Sequence, residues 1–167
     1  MAQNVSTQLS GQIGENLLVA ELGRRGILAT TLSGNAPVID VLAYKNEKSI
    51  PIQVKGQKKG NISVPKAEVY LQIEFDGDTQ IVKRKKLGID KNLIFVIIII
   101  GKNLGDDRFY ICKQGFIQDI VYRNHKNYLE KHNGVRPRNP KSTHCAYKEE
   151  DLIDMKDNWK LIDDALK

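Results

Sequence analysis

The chain has 167 residues, a length that fits one ordinary domain and leaves little room for two. It is 41% hydrophobic and 28% charged, so it has enough apolar residues for a buried core and enough charge to be soluble. The formal net charge is +6. The segment 149–167 carries seven acids and three bases, which leaves +10 on the remainder. A positive body suits a polyanionic partner because phosphate contacts release counterions, although a solvated basic surface has the same composition.

Several classes of protein are excluded by short features of the sequence. Cys112 and Cys145 are too few and too far apart for a disulfide scaffold or a zinc site, and they indicate ordinary thiols in a reducing compartment. Met1–Leu9 is polar and does not resemble a signal peptide. The longest apolar run, Leu93–Ile100, is far shorter than the roughly 20 residues of a membrane-spanning helix. We therefore expect a cytoplasmic protein without a membrane partner.

The N-terminal third predicts one helix followed by strands. Apolar residues including Leu18 and Leu22 recur at helical spacing over Gly11–Arg25, with Ser10 as a candidate N-cap and Gly26 beyond the end. Three strands then follow by composition, at Ile27–Thr31, Val38–Tyr44 and Ile50–Lys55. The polar residues Ser33–Pro37 and Asn46–Ser49 predict a loop and a turn, so the second and third strands should form an antiparallel hairpin.

The rest of the chain predicts a hairpin, two strands and further helices. The predicted elements are strands Glu68–Phe75 and Thr79–Lys85, strand Leu93–Ile100 buried on both faces, strand Phe109–Cys112, helix Phe116–His132, loop Asn133–Ser142 and one or two acidic helices in Glu150–Leu166. This order predicts a single α/β domain over residues 1–167, with a mixed central sheet flanked by helices and an extra β-hairpin.

Polar side chains interrupt the two apolar strands of the predicted hairpin. Gln53 and Lys55 share one face of their strand, because side chains alternate along a strand. Asp40 lies among apolar residues, where a carboxylate is costly to bury unless it is paired or holds a metal. Pairing the strands would bring these three residues together. Oxygen donors so placed suit Mg²⁺, and a nearby lysine could assist an attacking water or stabilise charge on phosphate.

The spacing of these residues resembles the signature of the PD-(D/E)xK nuclease superfamily. Asp40 is followed after twelve residues by Gln53-Val54-Lys55, and the first helix opens with Gly11-Gln12-Ile13-Gly14-Glu15. Residues 11–57 are similar to the Holliday-junction-resolvase-like branch in order and spacing. The Mrr-like branch is similar in placing Gln at the position of Gln53, where most members have a carboxylate. The hairpin near residues 68–85 is a second departure, since the common core has a helix there.

The resemblance implies a restriction endonuclease-like fold and metal-dependent hydrolysis of DNA phosphodiesters. It implies that Glu15, Asp40, Gln53 and Lys55 are catalytic and that Asp40, Gln53 and Glu15 ligate Mg²⁺, with Mn²⁺ as a substitute. Each residue also has an ordinary structural interpretation: Asp40 as a strand-end carboxylate, Gln53 and Lys55 as a solvated face, and Glu15 as a surface acid. Because duplex cleavage needs two active sites, we expect a homodimer.

Basic residues in loops are the candidate DNA contacts. They are Lys58, Lys59, Arg136, Arg138 and Lys141. A further basic run, Lys83–Lys86, is more typical of a solvated strand end. Two other functions remain open: a DNA-binding protein of the same fold with weak or no catalysis, and an α/β interaction protein whose basic surface meets an acidic partner.

Overall fold

A computed structural model describes residues 2–32, 39–103 and 105–167, with side chains from residue 6 onward. In chain order the helices and strands are α1 (Ala2–Arg24), β1 (Leu28–Thr31), β2 (Val41–Lys45), β3 (Lys48–Gln57), β4 (Asn61–Val64), β5 (Leu71–Asp76), β6 (Thr79–Lys85), β7 (Ile94–Ile99), β8 (Arg108–Lys113), α2 (Gln114–Lys131), β9 (Cys145–Lys148) and α3 (Lys160–Ala165). Short 3₁₀ helices span Ala67–Val69 and Glu149–Met155.

Internal contacts divide the chain into two compact units. The first contains Met1–Gly60, Asn92–Lys113 and Leu152–Lys167, and the second contains Asn61–Lys91 and Gln114–Asp151. The prediction of a single domain stays a prediction.

A five-stranded sheet organises the described part of the first unit. Its strand order is β1-β2-β3-β7-β8. Strands β3 and β7 are parallel and the other neighbours are antiparallel, so the sheet is mixed. Side chains of α1 and of the C-terminal segment bury the sheet's apolar face, with Leu18, Leu22 and Ile162 fully inaccessible to solvent. The predicted mixed sheet flanked by helices is therefore confirmed.

Helix α1 ends where the sequence predicts but begins earlier. At its C-terminus Gly26 has a φ of 71°, and the amide of Ile27 donates to the carbonyl of Leu22 at 3.0 Å. This is the pattern of a glycine-terminated helix, because glycine adopts a left-handed φ without steric cost. Ser10 is not an N-cap: it lies inside the helix, and its hydroxyl donates to the carbonyl of Ser6 at 2.9 Å.

The hairpin of β2 and β3 has the predicted turn. Asn46 and Glu47 both have positive φ angles, 52° and 63°, which suit the twist of a two-residue hairpin turn. The strand predicted over Val38–Tyr44 begins only at Val41, and Asp40 lies in a bend just before it. The predicted loop Ser33–Pro37 falls outside the described residues.

The other strand predictions are confirmed with small changes of boundary. Every side chain of β7 is buried, as expected for a strand covered on both faces. In the second unit β5 and β6 form the predicted extra hairpin. The sequence did not predict β4 and β9, which pair antiparallel. At the C-terminus the predicted acidic helices are a 3₁₀ helix and the six-residue α3.

Candidate active site

Asp40 lies just before β2 begins and extends the contacts of that strand with β3. Its backbone N–H donates to the carbonyl of Ile52 at 3.0 Å, and its Oδ2 accepts a hydrogen bond from the backbone N–H of Val54 at 2.7 Å. These contacts bracket Gln53 on β3. They also agree with the register, in which Val41 pairs with Ile52. The half-buried carboxylate is thereby anchored through one oxygen beside Gln53.

Gln53 and Lys55 share the face of β3 opposite its core residues. Ile52 is fully buried in the core and Val54 packs against that core, as the alternation predicts. The side-chain oxygen Oε1 of Gln53 is buried and accepts no hydrogen bond from any described residue. Lys55 is half-buried and makes no ion pair within the described part of the chain. An unsatisfied acceptor and an unpaired ammonium thus lie two residues apart.

Glu15 lies on α1 within electrostatic reach of Asp40. Partial burial raises the pKa of the Glu15 carboxyl, and the negative charge of Asp40 raises it further. Two carboxylates that repel each other are stabilised when a cation lies between them. The structure therefore places Glu15 within electrostatic reach of Asp40, and places Gln53 and Lys55 on β3 on either side of Val54, whose N–H binds Asp40. We name Glu15, Asp40, Gln53 and Lys55 the Asp40 corner.

A contact between two glycines sets how closely α1 approaches β3. A Cβ atom added at Gly14 would lie 2.8 Å from the Cα of Gly56, and one added at Gly56 would clash with the carbonyl oxygen of Ser10. Gly14 precedes Glu15 and Gly56 follows Lys55, so this contact positions two members of the corner. The sequence analysis quoted Gly14 only as part of the motif that opens the helix, and it predicted neither Gly56 nor the contact between the two. The available signal was a glycine inside a strand, which often marks close approach of another backbone.

The donor set of the corner fits Mg²⁺ better than a softer metal. Across the described residues, no three His, Cys, Asp or Glu side chains are grouped so that they could hold a metal ion. The corner offers two carboxylates and one amide oxygen, and the amide oxygen is the atom that lacks a hydrogen-bond donor. Mg²⁺ takes one or two protein carboxylates and keeps several waters.

The predicted DNA contacts occur in both units. Lys58 and Lys59 are exposed in the first unit, directly after β3. In the second unit Arg138 is exposed, whereas Arg136 donates to the carbonyl of His144 at 2.7 Å and Lys141 lies 3.5 Å from Asp78. Arg136 and Lys141 therefore have structural partners of their own.

Two exclusions drawn from the sequence agree with the structure. The two cysteines are free and buried. Among the described helices, none has the length and apolar character needed to span a bilayer.

Comparison with known proteins gives a fold relationship only. No family model matches the chain, and no curated protein matches it. A solved structure described as a bacterial homing endonuclease, I-Ssp6803I, is similar with a TM-score of 0.51 and 15% sequence identity, over 94% of this chain and 93% of that one. Likeness at this identity is evidence of shared fold. The chain is therefore a mixed α/β protein with a nuclease-like fold.

Proposed function

We propose that the protein is a Mg²⁺-dependent DNA endonuclease of the PD-(D/E)xK type, acting in the cytoplasm. The observation that carries the proposal is the buried Oε1 of Gln53, which has no described hydrogen-bond donor. The residue after Gln53, Val54, donates its backbone N–H to the carboxylate of Asp40. A buried acceptor is rarely left unsatisfied, and a cation at this position would satisfy it. The nuclease-like fold and the basic body of the chain support the same function.

Each member of the corner has a distinct role in this proposal. Asp40, Gln53 and Glu15 would hold Mg²⁺, with Mn²⁺ as a substitute. The ion supplies Lewis acidity and lowers the pKa of bound water. The hydrogen bond from Val54 engages Oδ2 of Asp40, and the second oxygen of Asp40 would be available to the ion. Lys55 has no acidic partner among the described residues, so its ammonium is free to orient the attacking water or to stabilise charge on the phosphate.

DNA is the proposed substrate because of charge and fold together. The chain outside residues 149–167 has a formal charge of +10, and Lys58 and Lys59 are exposed directly after the strand that bears Lys55. One solved structure with a similar fold is described as a homing endonuclease. Arg136, Arg138 and Lys141 are further proposed contacts. A homodimer is part of the proposal, since cutting both strands of a duplex needs two sites.

Cleavage of supercoiled plasmid by the purified protein tests this function. We expect nicked or linear product with Mg²⁺ or Mn²⁺ and none after addition of a chelator. Asp40→Asn and Lys55→Ala should each lower the rate by about 100-fold or more, as expected when a metal ligand or a charge-stabilising group is lost. Lys48→Ala is the matched control, because Lys48 is an exposed lysine on the same strand. Equal cleavage by all variants would refute the assignment of the site.

A DNA-binding protein with weak catalysis is the second candidate, and Gln53 favours it. An amide oxygen is neutral and holds a divalent cation less strongly than a carboxylate does. This candidate predicts DNA binding with little or no cleavage under any divalent metal. Binding assays run beside the plasmid assay separate the two functions.

A further inference from the structure

A cavity separate from the Asp40 corner lies wholly within the second unit. Its volume is about 270 Å³, and it is formed by residues of α2, of the loop after α2 and of β9. Its main lining residues are Asn124, His125, Tyr128, Arg136, His144 and Cys145. We name it the His125 cavity. It is smaller than the roughly 300–1,000 Å³ of pockets for drug-sized ligands, so it suits a single chemical group.

The tautomer of His125 follows from the contacts of Gln80. The side-chain nitrogen of Gln80 donates to the carbonyls of Pro140 and Ser142 at 2.6 and 2.9 Å. The remaining atom, Oε1, therefore faces Nε2 of His125 at 3.1 Å. Because an amide oxygen only accepts hydrogen bonds, Nε2 of His125 carries the hydrogen. In a neutral imidazole this leaves Nδ1 with a free lone pair.

That lone pair is buried and unsatisfied. His125 is 1% exposed, and its Nδ1 has no hydrogen-bond partner among the described residues. Burial, together with the positive charge of Arg136, lowers the pKa of His125 to about 4, and the negative charge of Glu68 opposes the shift. Burial also raises the pKa of the Cys145 thiol. At neutral pH two residues that line the cavity therefore carry a neutral imidazole with an unpaired acceptor, at His125, and an uncharged thiol, at Cys145.

Arg136 gives the same cavity a positive charge. Its guanidinium donates to the carbonyl of His144 and lies 4.5 Å from the ring centroid of Tyr128. It forms no ion pair with a described acid, and no Asp or Glu lines the cavity. Glu68, the acid that acts on His125, is engaged by the hydroxyl of Thr143 at 2.9 Å. The guanidinium of Arg136 thus has no anionic partner among the residues that line the cavity.

We propose that the His125 cavity binds a phosphate monoester group, with one hydrogen shared between the ligand and Nδ1 of His125. An oxyanion of the phosphate group would pair with Arg136, and its hydroxyl would donate to Nδ1 of His125. A phosphodiester or a sulfate has no such hydrogen at neutral pH, whereas a monoester titrates near pH 6 and still holds one in mild acid. Free orthophosphate and the terminal phosphate of a nucleic acid strand share this chemistry.

Histidine NMR on the full-length ¹⁵N-labelled protein tests the proposal with methyl phosphate as the probe. The Nδ1 resonance of His125 should shift saturably, with binding roughly tenfold tighter at pH 5.5 than at pH 7.5 because the ligand must keep its hydrogen. Sulfate, which matches the probe in shape but lacks the hydrogen, should leave the resonance unchanged. No saturable shift, or an equal shift with sulfate, would overturn the proposal and leave an ordered water as the partner of Nδ1.

Variants in the loop after α2 separate this site from general charge attraction. Arg136→Ala should abolish the methyl phosphate shift, whereas Arg138→Ala, which removes an exposed arginine two residues away, should keep it. His144→Gln should keep the pH dependence, because the proposed hydrogen bond uses Nδ1 of His125 and the His144 side chain is exposed. If Arg138→Ala weakens binding as much as Arg136→Ala does, the cavity is not the site.

Two further measurements identify the source of the phosphate and the independence of the site. An oligonucleotide with a 5′-phosphate should compete with methyl phosphate, and the same strand with a 5′-hydroxyl should not, if strand ends are the source. Competition by orthophosphate alone would assign the cavity to the free ion. Asp40→Asn should bind methyl phosphate normally, so failure of the nuclease proposal would not affect this one.

Discussion

Gln53 offers a cation the same kind of oxygen that a carboxylate would offer, but without the negative charge. Its Oε1 is already desolvated, since it is buried without a described donor. Much of the free energy needed to remove water from this oxygen is therefore spent when the protein folds and not when a cation binds. The neighbouring acids Glu15 and Asp40 repel each other, as the raised pKa of Glu15 indicates. A third carboxylate in this position would increase that repulsion. In the proposed site the amide would therefore limit metal affinity and would avoid a third negative charge in the metal-free protein.

Substitution Gln53→Glu should therefore change metal affinity and stability in opposite directions. We expect Mg²⁺ to bind roughly tenfold more tightly, which corresponds to about 1.4 kcal/mol. We also expect a lower melting temperature without metal, because three carboxylates then crowd one site. Calorimetric titration with Mg²⁺ and thermal melts with and without metal measure the two effects. Unchanged Mg²⁺ affinity would remove Gln53 from the ligand set.

The raised pKa of Glu15 gives a pH-dependent stability prediction. Above the ordinary pKa of glutamate, about 4.3, the unfolded chain releases this proton more readily than the folded chain does, so charged Glu15 destabilises the fold. Below that pH both states hold the proton and the penalty disappears. Glu15→Gln should therefore raise the melting temperature at pH 7 and have a fading effect as the pH falls below about 4.

Melting curves at several pH values check this prediction, with Glu47→Gln as the control. Glu47 is an exposed glutamate in the turn between β2 and β3. A gain for Glu15→Gln that persists unchanged in acid would mean that its origin is not the proton.

At the scale of elements, the corner depends on how α1 crosses β3. Gly14 and Gly56 allow the two backbones to touch, and the residues beside them are Glu15 and Lys55. Packing of Leu18 and Leu22 further along α1 against the sheet holds the crossing in place. The geometry of the site is thus a consequence of packing between a helix and a strand, and a change in that packing should disturb the site without touching its side chains.

Alanine at either of the two contacting glycines should lower the stability of the fold and disturb the corner beside it. Gly56→Ala places a methyl group against the Ser10 carbonyl and should cost about 1–3 kcal/mol by overpacking, and Gly14→Ala should act similarly. Gly11→Ala is the matched control on the same helix, since nothing lies within 4 Å of its added Cβ. That substitution should stabilise the protein by roughly 0.5–1 kcal/mol. Denaturant unfolding and Mg²⁺ titration of all three variants measure the effects.

Elements with a strong local pattern were predictable from sequence, and those that depend on distant partners were not. The apolar run of β7 and the alternation of β3 each indicate a strand without reference to the rest of the chain. In both strands the order of apolar and polar residues in the sequence already shows which side chains are buried. Strands β4 and β9 have four residues each and pair across about eighty residues of sequence, so neither is visible alone. The bend at Asp40 was missed because its carboxylate, rather than a backbone carbonyl, accepts from Val54.

The same distinction applies to the site residues. Asp40, Gln53, Lys55 and Glu15 could be selected as candidates from the sequence because each interrupts an apolar pattern or matches a known spacing. The His125 cavity was not predicted. Nδ1 of His125 is left as an unpaired acceptor because Gln80, 45 residues earlier in the chain, binds the other ring nitrogen. A hydrogen-bond tautomer is a property of the folded protein, and composition does not reveal it.

At the scale of the whole molecule, the basic residues differ in whether a described acid neutralises them. Lys83 and Lys85 pair with Glu74 and Asp119, at 3.1 and 2.8 Å, so the run Lys83–Lys86 is partly compensated. Near the C-terminus Lys160 pairs with Asp164. The exposed residues Lys58, Lys59 and Arg138 have no described acidic partner. Unpaired exposed cations are the ones that gain most from contact with phosphate.

This distribution predicts which lysines determine DNA affinity. DNA binding should weaken steeply with salt, and Lys58→Ala and Lys59→Ala should each reduce the slope of log K against log salt by about 1. Lys160→Ala should leave the slope unchanged, because that lysine is already paired. Asp40→Asn should keep both affinity and slope while losing cleavage, since metal-supported chemistry and phosphate contact use different residues. Electrophoretic mobility shifts over a range of salt concentrations measure these slopes. Absence of DNA binding even at low salt would instead indicate that the basic surface meets an acidic protein partner, and the corner would then have no nucleic acid to cut.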